Sequence, residues 1–366
     1  MVDTLPLYRT LFALFAFVVG AVVGSFLNVC IYRLPRDLSV NRPRRSFCPH
    51  CKKQIAWHDN LPLLSWLLLR ARCRHCGAVI HYRYFAVELL TASLFLALWM
   101  WFPPLVAFAY WILASLLIVA TFIDLEHYII PDEITLVGVG VGLLASLAVP
   151  AVMGTSSRLI AIVCAGLAAL LGYVLLWVVL EAGKVAFGKK RIRLDAPTPF
   201  KWKRVGDDAE FTIGEEQTMW SEYFARESDR LLISCDTLEI DRRVHNKLTV
   251  EFYYNRVSVA GEVSQLDQTN EINGLATELV IPREAMGRGD LKFLAAIGAF
   301  LGWRGVLFSL FGGSLLGSLV GLLALVIGKR VWSAKLPFGP YLAMAALLWI
   351  FFGSALADWY VNLLRP

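Results

Sequence analysis

Six long apolar runs dominate the chain, at residues 10–32, 89–123, 134–157, 159–180, 305–328 and 336–357, with the polar residues gathered between them. A helix needs about 20 apolar residues to cross the hydrocarbon core, so most of these runs predict one span each. Pro103 and Pro104 divide the second run into two. The shorter stretch at 291–303 brings the expectation to about eight crossings. The first run is too long for the core of a signal peptide. It also lacks a small-residue cleavage site before Arg33, Leu34 and Pro35, so it reads as a permanent anchor.

Residues 189–284 break the pattern. Charge rises abruptly, and the stretches 231–240, 247–254 and 256–262 carry the β-branched, alternating character of strands. Trp202, Phe211, Trp220, Phe252, Tyr253 and Tyr254 offer a core, which argues against a disordered linker. The expected fold is an all-α polytopic membrane protein of about eight transmembrane helices, with a cytoplasmic zinc-knuckle loop and a small β-rich soluble insert. Its parts are a first span at 1–32, the loop at 33–83, helices at 84–188, the insert at 189–284 and further helices at 285–366.

Composition agrees with a bilayer setting. The chain of 366 residues is 57% hydrophobic and only 17% charged, with a mean hydropathy of +0.59. Between Arg33 and Arg83 only Asp37 and Asp59 oppose a dense set of basic residues, and Lys189, Lys190, Arg191, Lys329 and Arg330 also follow spans. The positive-inside rule makes these regions cytoplasmic, and alternation then puts both the Asp124 and the Asp290 loops inside. The net charge of +6 therefore reports orientation and contact with anionic lipid, and gives no support for nucleic-acid binding.

Cys48-Pro49-His50-Cys51 and Cys73-Arg74-His75-Cys76 form two CxxC knuckles joined by a compact loop. That spacing lets four thiolates close a tetrahedron around one zinc ion, and a full coordination sphere leaves no place for an activated water. The expected metal is structural. A reducing cytoplasmic location argues against the alternative of two disulfides. Cys30, Cys164 and Cys235 read as small apolar fillers.

Asp124 stands at the predicted cytoplasmic end of one span and Asp290, within Gly287-Arg288-Gly289-Asp290, at the entry of another. Carboxylates at membrane depth are costly and mark function by default. If the two spans pack together, the acids face one another, share a proton, and can hydrolyse a peptide bond through water without a covalent intermediate. Gly287 and Gly289 allow close approach of an extended substrate strand. The bland alternative for Asp290 is a helix N-cap, and helix capping is also the simplest role for Asp132. An ion-coupled transporter would place its acids near the midplane within inverted repeats. Here both acids map to one face, and no repeat is evident.

The sequence Gly24-Ser25-Phe26-Leu27-Asn28-Val29-Cys30-Ile31-Tyr32-Arg33-Leu34-Pro35 resembles the bifunctional type IV prepilin peptidase/N-methyltransferase family. So do the double CxxC, Val87-Glu88-Leu89-Leu90-Thr91, Ile123-Asp124 with Ile130-Pro131-Asp132, and Pro337-Phe338-Gly339-Pro340-Tyr341. The resemblance implies a bacterial inner-membrane enzyme with its active site facing the cytoplasm. It would cut prepilins and pseudopilins after the Gly that ends a basic leader, then methylate the new N-terminus from S-adenosylmethionine. Asp124 and Asp290 map to the peptidase pair, and a peptidase without methyltransferase activity is the alternative. Glu88, Asn28 and Arg33 are the candidates for binding the methyl donor, with Glu88 paired to Arg83 or Arg33 as the structural alternative. Lys292 and Lys335 are candidates to support the substrate or the dyad. Two departures stand out: His81 and Tyr84-Phe85-Ala86 replace the family's usual Ser and Tyr-Pro-Leu, and the insert is far longer than usual. The insert lies on the side where substrate leaders arrive, so it is expected to help recognise precursors or partners in the secretion machinery.

Overall fold

The computed structural model describes residues 7–43, 45–187, 189–206, 208–224, 230–240, 243–282, 287–327 and 336–364. Met286, Lys329, Arg330 and Lys335 lie outside the described residues. The chain is mostly helical and divides into two compact units, residues 1–177 with 286–366, and residues 178–285.

The first unit contains α1 (Leu7–Arg33), α2 (Leu64–Leu68), α3 (Arg83–Trp101), α4 (Pro104–His127), α5 (Asp132–Ala148), most of α6 (Arg158–Phe187), α7 (Arg288–Val326) and α8 (Gly339–Leu364). Five helices are long and apolar enough to cross a membrane: those at Phe12–Arg36, Arg83–Trp101, Pro104–His127, Arg158–Gly183 and Arg288–Ala324. A shorter apolar stretch covers Gly339–Gly353. The predicted run at 291–303 and residues 305–326 of the next lie within α7, which is kinked where Gly302 adopts φ 68°, ψ −179°. A residue with a Cβ is strained at that φ.

Small residues set the helix spacing, because in lipid close backbone approach and dispersion replace the hydrophobic drive between helices. A Cβ on Gly20 of α1 would lie 2.7 Å from the Ala92 Cα of α3, and one on Gly24 would lie 2.8 Å from the Glu88 Cα. The first half of α7 is the innermost helix, with Leu291, Phe293, Leu294, Ile297 and Phe300 almost fully buried. Gly142 of α5 and Gly172 of α6 admit it, and the Ser146 hydroxyl donates to Ala299 O at 3.0 Å. Between α3 and α4, Phe95 stacks on Trp111, whose indole N–H donates to Phe95 O at 2.9 Å.

The second unit is built on one eight-stranded antiparallel sheet in the order β3-β2-β1-β8-β4-β5-β6-β7. Its strands are β1 (Lys189–Val205), β2 (Asp208–Ile213), β3 (Glu216–Met219), β4 (Leu231–Ile240), β5 (Arg243–Phe252), β6 (Arg256–Val259), β7 (Glu262–Gln265) and β8 (Glu271–Pro282). Alternating residues fill one core, including Trp202, Phe211, Trp220 and Phe252 as expected, while Tyr254 stays 40% exposed. The stretch 256–262, expected as one strand, is instead a hairpin. Ala260 and Gly261 both take positive φ there, 52° and 93°, as a tight two-residue hairpin turn requires.

Candidate functional site

The last turn of α4 carries Asp124, and the chain then reverses through Tyr128, which takes the left-handed conformation (φ 57°) and donates its N–H to Asp124 O. That reversal drives Ile130 between the starts of two other helices. A Cβ on Gly289 of α7 would lie 3.0 Å from both Cβ and O of Ile130, and one on Gly339 of α8 would lie 3.0 Å from Ile130 Cδ1. Glycine at 289 thus lets the Ile130 backbone come close.

The wedge brings the two acids together. Asp124 is 5% exposed and Asp290 7%, and the carboxyl groups lie within electrostatic reach of one another. Gly339 N–H donates to Asp124 Oδ2 at 2.9 Å. Asp290 hydrogen-bonds the Gly287 backbone, while its Oδ1 is buried with no partner among the described residues. Lys292, one turn along α7, is held by Asp132 at the start of α5, its Nζ donating to both carboxylate oxygens at 2.6 and 2.7 Å. The roles of Ile130 and Gly339 were not legible in sequence, because they consist only in what each one's shape admits.

The two knuckles repeat one geometry. Cys48 N–H donates to Lys53 O and Cys73 N–H to Ala78 O, and the residue after each second cysteine, Lys52 or Gly77, is left-handed. All four sulfurs of Cys48, Cys51, Cys73 and Cys76 lie within 4.8 Å of one another, with Cys48 Sγ and Cys76 Sγ 3.9 Å apart. A tetrahedron of thiolates at about 2.3 Å from a zinc ion needs edges of about 3.8 Å, so the cluster can hold such an ion. Backbone N–H groups of Cys76 and His75 draw the Cys73 thiol down to about 7. Cys76, although the Ala78 backbone lowers it, rises to about 11 through desolvation by the groups around it and through its sulfur neighbours.

Between α1, α3 and this loop lies a cavity of about 760 Å³, lined among others by Ser25, Asn28, Arg33, Glu88 and Glu126. The candidates Asn28, Arg33 and Glu88 therefore share one space. Their engagements differ. Arg33 Nη1 donates to the carbonyls of Ser39, Val40 and Pro43, holding the loop. Glu88 Oε2 accepts the Leu63 N–H at 2.7 Å and pairs with neither Arg83 nor Arg33. Leu63 itself is strained, at φ 62°, ψ −49°, within a tight turn closed by Leu64 N–H to Pro62 O at 2.7 Å. Arg83 instead pairs with Glu126, two residues beyond Asp124, its Nη1 donating to both carboxylate oxygens.

The bacterial peptidase A24 N-terminal domain matches residues 18–102, and the type IV leader peptidase family matches residues 111–192 and 271–322. The gap between the last two segments falls on the β-sheet. A prepilin leader peptidase/N-methyltransferase of Aeromonas hydrophila is 28% identical over 370 residues, covering 94% of this chain and 92% of the relative. One of Klebsiella pneumoniae is 36% identical over 192 residues, 50% of this chain and 80% of the relative. Another, of Myxococcus xanthus, is 51% identical over 145 residues, 38% of this chain and 42% of the relative. No solved structure matches the chain. Two adjoining family matches, full-length similarity and a paired-aspartate site lead to one conclusion: the chain belongs to the type IV leader peptidase family.

Proposed function

We propose that the chain is a prepilin leader peptidase/N-methyltransferase in which Asp124 and Asp290 are the catalytic pair. The observation that carries this reading is two buried carboxyl groups, far apart in sequence, at the ends of apolar helices, with the charge of Asp124 felt at Asp290. Acids so placed share one proton. One takes a proton from the attacking water while the other protonates the scissile amide, and the unpartnered Asp290 Oδ1 is free to hold the shared proton or the water. The precursor's leader lies at the cytoplasmic face of the bacterial inner membrane, where the positive-inside rule puts this end of α4 and α7. Eight helical segments support about eight crossings, if the two halves of α7 are taken separately along with α5 and α8.

The cysteine cluster holds a structural zinc, and the cavity beside it takes S-adenosylmethionine, which supplies the methyl group when bound. The cavity is of cofactor size and mixes aromatic walls with many polar and charged side chains. Around it, Glu88 fixes the strained Leu63 turn and Arg33 fixes the 39–43 loop, so the chain's own residues shape the site before any ligand arrives. Residues 189–284 carry 18 acidic against 14 basic residues, a balance complementary to a basic leader, and the insert serves precursor recognition. Unchanged processing after its deletion would remove that role.

The experiment is incubation of purified enzyme with a precursor bearing a basic leader, Gly and Phe, with and without S-adenosylmethionine. Asp124→Asn and Asp290→Asn should each lower cleavage by about a thousandfold or more. Full cleavage by either variant would refute the pair, and mass spectrometry of the new N-terminus reads methylation in the same tubes.

A further inference from the structure

Residues 61–69, between the two cysteine knuckles, carry no charge, and α2 at their centre is inverted for a helix in water. Leu64, Leu67 and Leu68 share one face by their spacing, and all three are exposed, Leu68 at 78%. The protein-facing side holds the hydroxyl and the indole. Ser65 is buried and its hydroxyl donates to His58 O at 3.1 Å, while Trp66 packs on Phe85 of α3 and donates its indole N–H to Ile80 O at 3.3 Å. Trp57 and Leu61, earlier in the same stretch, are exposed as well. Large apolar side chains gathered on one exposed face mark an interaction surface.

The position of α2 beside the long helices says what covers that face. With 19 residues α3 is about 28 Å long, close to the thickness of the hydrocarbon core, so Arg83 at its start stands near the boundary. Glu88 is five residues further along, about 7.5 Å, and its Oε2 accepts the N–H of Leu63, the residue immediately before α2. Asn60 and Pro62 line a cavity together with Phe26 and Val22 of α1, which stand seven and eleven residues before that helix ends at Arg33. The chain therefore dips alongside two apolar helices. Irregular backbone at such a depth must find its hydrogen bonds within the protein, and Glu88 supplies one for Leu63. Beyond α2 the chain reaches Arg70 and Arg72, both exposed, the side chains that suit a phosphate layer.

We propose that residues 61–68 form an interfacial segment whose leucine face lies among the acyl chains of the leaflet at this end of α1 and α3, and that Glu88 sets its depth. An uncharged leucine face beside two spans, with a tryptophan before it and arginines after it, has the chemistry of a lipid boundary; a partner protein's apolar segment would require neither the depth nor the flanking arginines.

The test replaces Leu68 with the photocrosslinker p-benzoylphenylalanine in the full-length protein, reconstituted in vesicles of phosphatidylcholine and phosphatidylglycerol. Exposed Glu215, on the turn between β2 and β3, is the reference position. After illumination, mass spectrometry should find at least about tenfold more phospholipid adduct at position 68 than at 215. Equal lipid adduct at the two positions would overturn the proposal, as would cross-linking of position 68 chiefly to a second copy of the chain or to an added precursor peptide. Glu88→Leu leaves the Leu63 N–H without its acceptor and should lower the adduct at 68 several-fold, whereas Glu88→Gln keeps an acceptor oxygen and should preserve it. An adduct unchanged by Glu88→Leu would overturn the claim that Glu88 sets the depth. Gel filtration of each preparation reports folding, and positions 64 and 67 carry the same expectation should the change at 68 not be tolerated.

Discussion

Replacing Gly339 with alanine disturbs the proposed dyad without touching either acid. The new Cβ would stand 2.7 Å from Asp124 Oδ2 and 3.0 Å from Ile130 Cδ1. Carbon and oxygen rest at about 3.3 Å or more, so the carboxyl or the start of α8 must move by about 0.6 Å. The 2.9 Å bond from Gly339 N–H to Asp124 Oδ2 would then stretch to the limit of a useful hydrogen bond. A misplacement of about 1 Å at reacting atoms costs about a hundredfold in rate, equivalent to about 2.7 kcal/mol of barrier. The measurement is kcat for precursor cleavage in reconstituted membranes, with methylation of an already processed peptide as the internal standard. Gly140→Ala is the control, since nothing lies within 4 Å of a Cβ there. Cleavage by Gly339→Ala within about twofold of wild type would refute the idea that this N–H and this glycine hold Asp124 in its working position.

Other consequences follow from the same geometry. Lys292→Met removes a partly exposed ion pair worth about 0.2–1 kcal/mol, so cleavage should fall by less than about tenfold. A collapse of kcat would instead mean that Lys292 touches substrate or dyad directly. Cys48→Ser should reduce the zinc found by elemental analysis and open the 34–82 loop to protease; full metal retention would show that fewer thiols suffice. Ala71 sits in the left-handed region at φ 55°, so Ala71→Gly should steady the second knuckle by about 1 kcal/mol, seen as slower metal loss to a chelator. Burial pushes the Cys235 thiol up to about 12, which keeps it protonated at neutral pH. It should resist maleimide in the folded protein and react only after denaturation.

Much of this protein follows from one-dimensional pattern. The apolar runs, the break at 189–284, the CxxC pair and the two lone acids in apolar surroundings are local in sequence, and the costs behind them are local too: an unsatisfied backbone in lipid, a charge at membrane depth, four thiols within reach of one ion. Tertiary structure decided the rest. That Ile130 sits between Gly289 and Gly339, that Glu88 is tied to Leu63 and Arg83 to Glu126, and that Asn28 is tied to the Tyr84 carbonyl all depend on which segments pack closely together. Such approaches depend on shape complementarity between segments up to 215 residues apart, as with Gly339 and Asp124, and hydropathy carries no record of shape.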